Sequence, residues 1–185
     1  MPPIAPRDSF VAEFTLPRAG TFMYHAHLDE GRQIGSGLYG ALLVVEPDAA
    51  PDPATERLLV FSRAGPGPEL LTPSLVNGRT SPDTVPLAVN VAHRLRLVFI
   101  QPNGVATLRL RAAGPADTSL AVWRPVAKDG ADLPPAQARP RAAAALVAMG
   151  ETYDFEFTPR APGAYVLEFL VPRTGVGLSV PLRAR

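Results

Sequence analysis

Cysteine is absent from the 185 residues, which removes disulfides, thiolate metal sites and cysteine nucleophiles together. The redox compartment stays open, since a disulfide-free chain can live anywhere. Long apolar runs are also lacking. The longest of note, Ala142 to Met149, has eight residues against the roughly 20 that span a bilayer. Neither charge sign dominates: 18 Lys and Arg face 17 Asp and Glu, for a net charge of +1. That balance argues against nucleic acid or an anionic membrane as the main partner. Uninterrupted helix-forming stretches are scarce, because 22 prolines and 15 glycines punctuate the chain and favour short strands joined by turns. Met1-Pro2-Pro3 opens no secretion signal, as no basic segment and apolar core follow. The chain reads as soluble.

What is present is organised around Gly20 to Glu46. Two of the three histidines, His25 and His27, lie there with one residue between them. Thr21-Phe22-Met23-Tyr24 before them reads as a strand. Side chains at i and i+2 share a face of a strand, so both imidazoles are expected on one surface with the small Ala26 opposite. Asp29 would continue that face, but Asp29-Glu30-Gly31 reads as a turn. Gly35, Gly37 and Gly40 then lead into a buried-strand pattern, Ala41 to Val45. By itself a His-x-His could be a strand end whose histidines are satisfied by carbonyls or water. Imidazole suits copper, zinc, iron and nickel alike, and two ligands rarely complete such a site.

Along the rest of the chain, Ser9 to Thr15 has strand alternation, with Phe10, Ala12 and Phe14 on one side. Leu16 to Gly20 turns. Pro47 to Thr55 holds three prolines and reads as an extended, polyproline-like linker. This divides the chain into 1–47, a linker at 48–56 and a second unit at 57–185. In that unit the strand candidates are Arg57–Ser62, Leu87–Val91, Arg94–Ile100, Thr107–Arg111, Leu120–Ala127, Glu151–Thr158, Gly163–Val171 and Val176–Arg183. Leu75-Val76-Asn77-Gly78 ends in a turn signal. Arg141 to Val147 is helix or strand; its propensities do not decide. Roughly eight short strands with turns between them make an antiparallel sandwich or barrel. The fold class is all-β. Phe155 and Phe157 read as core, the arginines of the Arg-Leu-Arg-Leu pattern as a solvated face, and His93, in the turn before Arg94, as a surface residue.

GTFMYHAH, Gln33 and GLYGALLVVEP resemble the segment of multicopper oxidases that carries the second His-x-His of their first cupredoxin domain. Pro3 to Phe10 is similar to the strand-opening segment before it. Val76-Asn77-Gly78, Trp123, the run Ala127 to Ala136 and Gly150 to Pro159 look like framework residues of another cupredoxin-like domain. The resemblance implies a cupredoxin-like Greek-key β-sandwich, one complete domain preceded by a partial one. It implies that His25 and His27 are metal ligands, each to one copper of a type 3 pair, with no catalytic or other cofactor-binding residue in the chain. A type 1 centre needs a cysteine thiolate, which this sequence cannot supply. The expectation is therefore a portion of an oxidase, inactive alone, whose partner is the missing upstream cupredoxin half or another subunit that completes the copper cluster. Residues 1–47 offer about three of the roughly eight strands a full unit needs, so they are expected to be loosely held or paired against that partner. Relatives suggest a periplasmic or extracellular location, though no signal peptide is legible. The rival readings are a non-catalytic binding or assembly module and a cupin-type metal dioxygenase, which would use His25, His27 and Glu30. Asp29 and Glu30 otherwise read as loop solvation, with proton delivery to copper as the alternative.

Overall fold

Short segments with a two-residue hydrophobic period can bury their apolar face only by pairing into sheets. The computed structural model describes residues 4–65, 72–100, 105–114, 119–171 and 177–185. Among them, β1 (Gly20–His25) runs through a short helix α1 (Glu30–Gly35) into β2 (Tyr39–Val44), and the two strands form an antiparallel hairpin. Then come β3 (Glu56–Arg63), β4 (Ser74–Val76), β5 (Val85–Leu87), β6 (His93–Phe99), β7 (Val105–Ala112) and β8 (Val122–Lys128). The chain finishes with β9 (Ala131–Asp132), β10 (Arg141–Ala142), β11 (Ala144–Ala148), β12 (Thr152–Phe157), β13 (Gly163–Leu170) and β14 (Gly177–Ala184).

Two sheets pack face to face. One has the order β10-β8-β12-β6-β3-β4, with β9 on β8; the other runs β11-β7-β13-β14-β5. Leu95, Leu97 and Phe99 of β6, Leu108 and Leu110 of β7, and Phe155 and Phe157 of β12 fill the space between them. Trp123 stacks on Phe155 with centroids 3.9 Å apart. The undecided stretch Arg141 to Val147 is a strand that changes sheets at the fully buried Ala143, whose N–H donates to Ala121 and whose carbonyl accepts from Leu110. Asn77 and Gly78 take the positive φ values, 48° and 77°, that the turn signal required.

The outer face of the larger sheet is covered too. Val98 and Ile100 are buried there with Ile34, and Met23, Tyr39 and Ala41 of the hairpin pack on them. This seat explains a correction. Arg96 is not solvated: it is buried, with Nε on Glu56 Oε2 at 2.6 Å and Nη1 on Asp154 Oδ2 at 2.9 Å and on Thr21 Oγ1 at 3.0 Å. Arg94 joins through Asp154 at 2.6 Å, while Arg109 and Arg111 pair with Glu168 on the other sheet. Arg96 is covered because the root of the hairpin, at Thr21, lies over it.

His93 is a second correction. It is 0% exposed, because it opens β6 and tucks under the preceding turn, where its Nε2 meets the N–H and carbonyl of Ala88 at 2.9 and 3.1 Å. Burial pushes its pKa below the ordinary value; the Ala88 bond opposes that and Arg57 adds to it.

Two strand readings and the linker reading also change. Ser9 to Thr15 forms no strand and is exposed; its alternation is real, but no neighbouring strand among the described residues offers it a ladder. Leu87 to Val91 is strand only at its first residue. Asn90 turns there with φ 62°, and the N–H groups of Val89 and Asn90 donate to Arg185 and Pro159. The proline-rich stretch ends in a turn rather than an extended run, because the Asp52 carboxylate accepts from Ala54 N–H at 2.8 Å and Thr55 Oγ1 at 3.0 Å.

Candidate metal site

β1 carries His25 at the end away from its root. Thr21 at the root is buried, whereas Tyr24 and His25 at the far end are exposed. Tyr24 can lie across the facing strand because Gly40 stands opposite it; a Cβ at Gly40 would run into the Tyr24 ring. β1 ends at His25, so strand alternation does not extend to His27, which sits in the connection instead. The two rings nevertheless lie nearly parallel, with centroids 5.9 Å apart and planes 23° apart.

Each ring has one nitrogen facing an acceptor. His25 Nδ1 lies 3.0 Å from the Ala26 carbonyl. A carbonyl only accepts, so that nitrogen bears the hydrogen and Nε2 keeps a free lone pair. His27 Nε2 lies 3.2 Å from Glu30 Oε1, and its side chain is 87% exposed. With its Nε2–H donating to that carboxylate, the neutral ring keeps its lone pair on Nδ1. An acceptor on one ring nitrogen that frees the other is the usual support for a metal-binding imidazole.

The connection is built for a fixed course. Asp29 caps α1, its carboxylate accepting from Arg32 N–H at 3.4 Å, and Gln33 Oε1 accepts from Asp29 N–H at 3.2 Å. Asp29 is thus a cap and Glu30 an imidazole partner. Two open, parallel imidazoles fit part of the donor set of a copper centre. Among the described residues, no group of three or more His, Cys, Asp or Glu is placed to hold a metal. That weighs against a cupin-type His25-His27-Glu30 site. Sequence reasoning passed over Tyr39, which stands opposite His25 in the β1–β2 register, and Ser62, whose hydroxyl it meets at 2.6 Å; Tyr39 sits inside the Gly-Leu-Tyr-Gly run but carried no signal of its own.

Residues 1–49 match the family model described as multicopper oxidase. The N-terminal segment is thus similar to multicopper oxidases. Laccase-1 of Fomitopsis schrenkii is 51% identical over 47 residues, which are 25% of this chain and 8% of that protein. The match thus spans less than a tenth of that relative. Among solved structures, a multicopper oxidase superposes with TM-score 0.77 at 18% identity over 98% of this chain and 62% of that one. A blue copper oxidase from Nitrosomonas europaea gives TM-score 0.75 at 20% identity, covering 98% and 61%. At such identities these neighbours establish the fold, a cupredoxin-like β-sandwich. The matched segment coincides with the hairpin that bears His25 and His27, and copper is the metal that a multicopper oxidase implies.

Proposed function

We propose that His25 and His27 are copper ligands of a multicopper oxidase, each serving one metal of a type 3 pair, and that the remaining ligands come from outside this chain. Residues 1–47 are on this reading the C-terminal part of a first cupredoxin domain, and 57–185 a second such domain without copper ligands. The carrying observation is the pair of parallel, solvent-open imidazoles on the segment that matches the oxidases. Bound copper would supply the one-electron steps by which a reducing substrate is oxidised and dioxygen reduced.

The chain's own residues do the holding. The Ala26 carbonyl fixes the tautomer of His25, Glu30 steadies His27, and the Asp29 cap with Gln33 sets the path between them. Two imidazoles alone do not complete such a centre, so the isolated chain has no oxidase activity. Exposed Phe10, Val11, Phe14, Leu16, Leu28 and Leu38 form the surface against which the complementary cupredoxin portion packs.

The test is copper titration of the chain and of His25→Ala and His27→Ala, with an oxidase assay on a phenolic substrate. Copper binding lost in both variants, without turnover in any, is the expected result. Catalytic dioxygen consumption by the isolated chain, or copper binding untouched by both substitutions, would overturn the reading.

A further inference from the structure

We propose that Tyr39 and Ser62 are positioning residues for the histidine pair: one hydrogen bond from the second domain fixes the end of the hairpin that carries His25. The inference rests on the copper reading of that pair.

A two-stranded hairpin is marginal by itself, so β1 and β2 owe their order to the sheet beneath them. Most of the polar ties sit at the root. Thr21 Oγ1 accepts from Arg96 and its carbonyl from Thr152 Oγ1 at 2.8 Å; Arg18 Nε donates to the Gly130 carbonyl at 2.7 Å. Four residues of strand, about 13 Å at strand rise, separate Thr21 from His25. At the far end the tie is different. Tyr39 stands directly opposite His25 in the β1–β2 register, so the two side chains leave the hairpin on the same face. The Tyr39 hydroxyl crosses to Ser62 Oγ at 2.6 Å. Ser62 is 1% exposed and held within β3. Just beyond, Ala26 N–H donates to the Leu38 carbonyl at 3.0 Å, so whatever steadies Tyr39 steadies the turn from His25 into His27. A domain without copper ligands thereby sets where the ligands point.

Tyr39→Phe removes only the hydroxyl and leaves the ring on the Ile34 cluster; Ser62→Ala removes its acceptor. Amide exchange at Ala26 reads the positioning without metal, and competition titration with copper(II) reads its consequence. Each single variant is expected to speed Ala26 exchange and weaken copper binding about five- to tenfold, the size of one lost hydrogen bond. The double variant adds little, and Leu97 exchange stays unchanged. Unchanged Ala26 exchange in Tyr39→Phe, or fully additive single effects, overturns the proposal. If Ser62→Ala also loosens Leu97, Tyr39→Phe alone decides. Should the chain bind no copper through His25 and His27, the copper reading falls, and Ala26 exchange still decides the role of Tyr39.

Discussion

Arg96 and Asp154 stand directly opposite each other on β6 and β12, joined at 2.9 Å with both side chains out of solvent. Two more groups depend on that pair: Arg94 shares the same carboxylate oxygen, and Thr21 of the hairpin shares the same guanidinium. Asp154→Asn takes the shared carboxylate from both guanidinium groups and leaves Arg96 with Glu56 alone. Unfolding free energy should fall by about 3 kcal/mol, as when one partner of a buried pair is removed. The urea midpoint at constant slope measures it. Asp48→Asn, at an exposed site, should change it by less than about 0.5 kcal/mol.

Gly130 and Phe22 couple the hairpin root to the β8–β9 turn. Gly130 has φ 71°, and a Cβ there would enter the Phe22 ring, over which Arg18 sits 5.6 Å from the centroid. Gly130→Ala should cost about 2 kcal/mol from backbone strain and displacement of the ring, with faster amide exchange along β1. Gly31→Ala, with nothing within 4 Å of its would-be Cβ, should instead stabilise α1 by about 0.5 kcal/mol. Thermal unfolding of the two variants gives opposite signs.

Acid should act through His93. Its folded pKa lies below the ordinary value because burial disfavours the imidazolium. The unfolded chain therefore binds a proton first, near pH 6.5, while the folded chain resists it. Stability is then flat above about pH 7 and falls as pH drops below about 6.5. His93→Gln should remove that part of the slope. Urea unfolding from pH 7.5 to 5 checks it, and an unchanged slope in the variant would assign the pH dependence elsewhere.

The all-β class, the face shared by Leu95, Leu97 and Phe99, the core roles of Phe155 and Phe157 and the Asn77-Gly78 turn were legible because each depends on neighbours close in sequence. The burial of Arg96 and His93 was not. Both follow from what covers them: a hairpin more than 50 residues upstream for Arg96, and the Ala88 turn for His93. Ser9 to Thr15 shows the converse, an alternating pattern that stays unpaired because a strand needs a partner as well as a period. At the site, His25 and His27 announced themselves as residue types, but their parallel rings depend on where β1 stops, which alternation does not determine.

Exposed apolar side chains before the hairpin give a separate prediction. Phe10 is 54%, Val11 75% and Phe14 68% exposed. Phe10→Ser with Phe14→Ser should leave the melting temperature within about 2 °C, as little packing is lost. The pair should lower binding of a hydrophobic dye and reduce self-association in sedimentation. A large drop in melting temperature would mean these rings are already packed, contrary to an awaiting complementary surface.

Thr152 holds the carbonyl of Thr21 across 131 positions of sequence, and that span orders events during synthesis. The hairpin is synthesised well before β12, which supplies this bond. Until β12 emerges, the Thr21 carbonyl lacks this partner, although β3 and β6 already supply the apolar seat of Val98 and Ile100. The root of the hairpin therefore gains this anchor only through a contact of high sequence separation, the kind whose loop-closure cost slows folding.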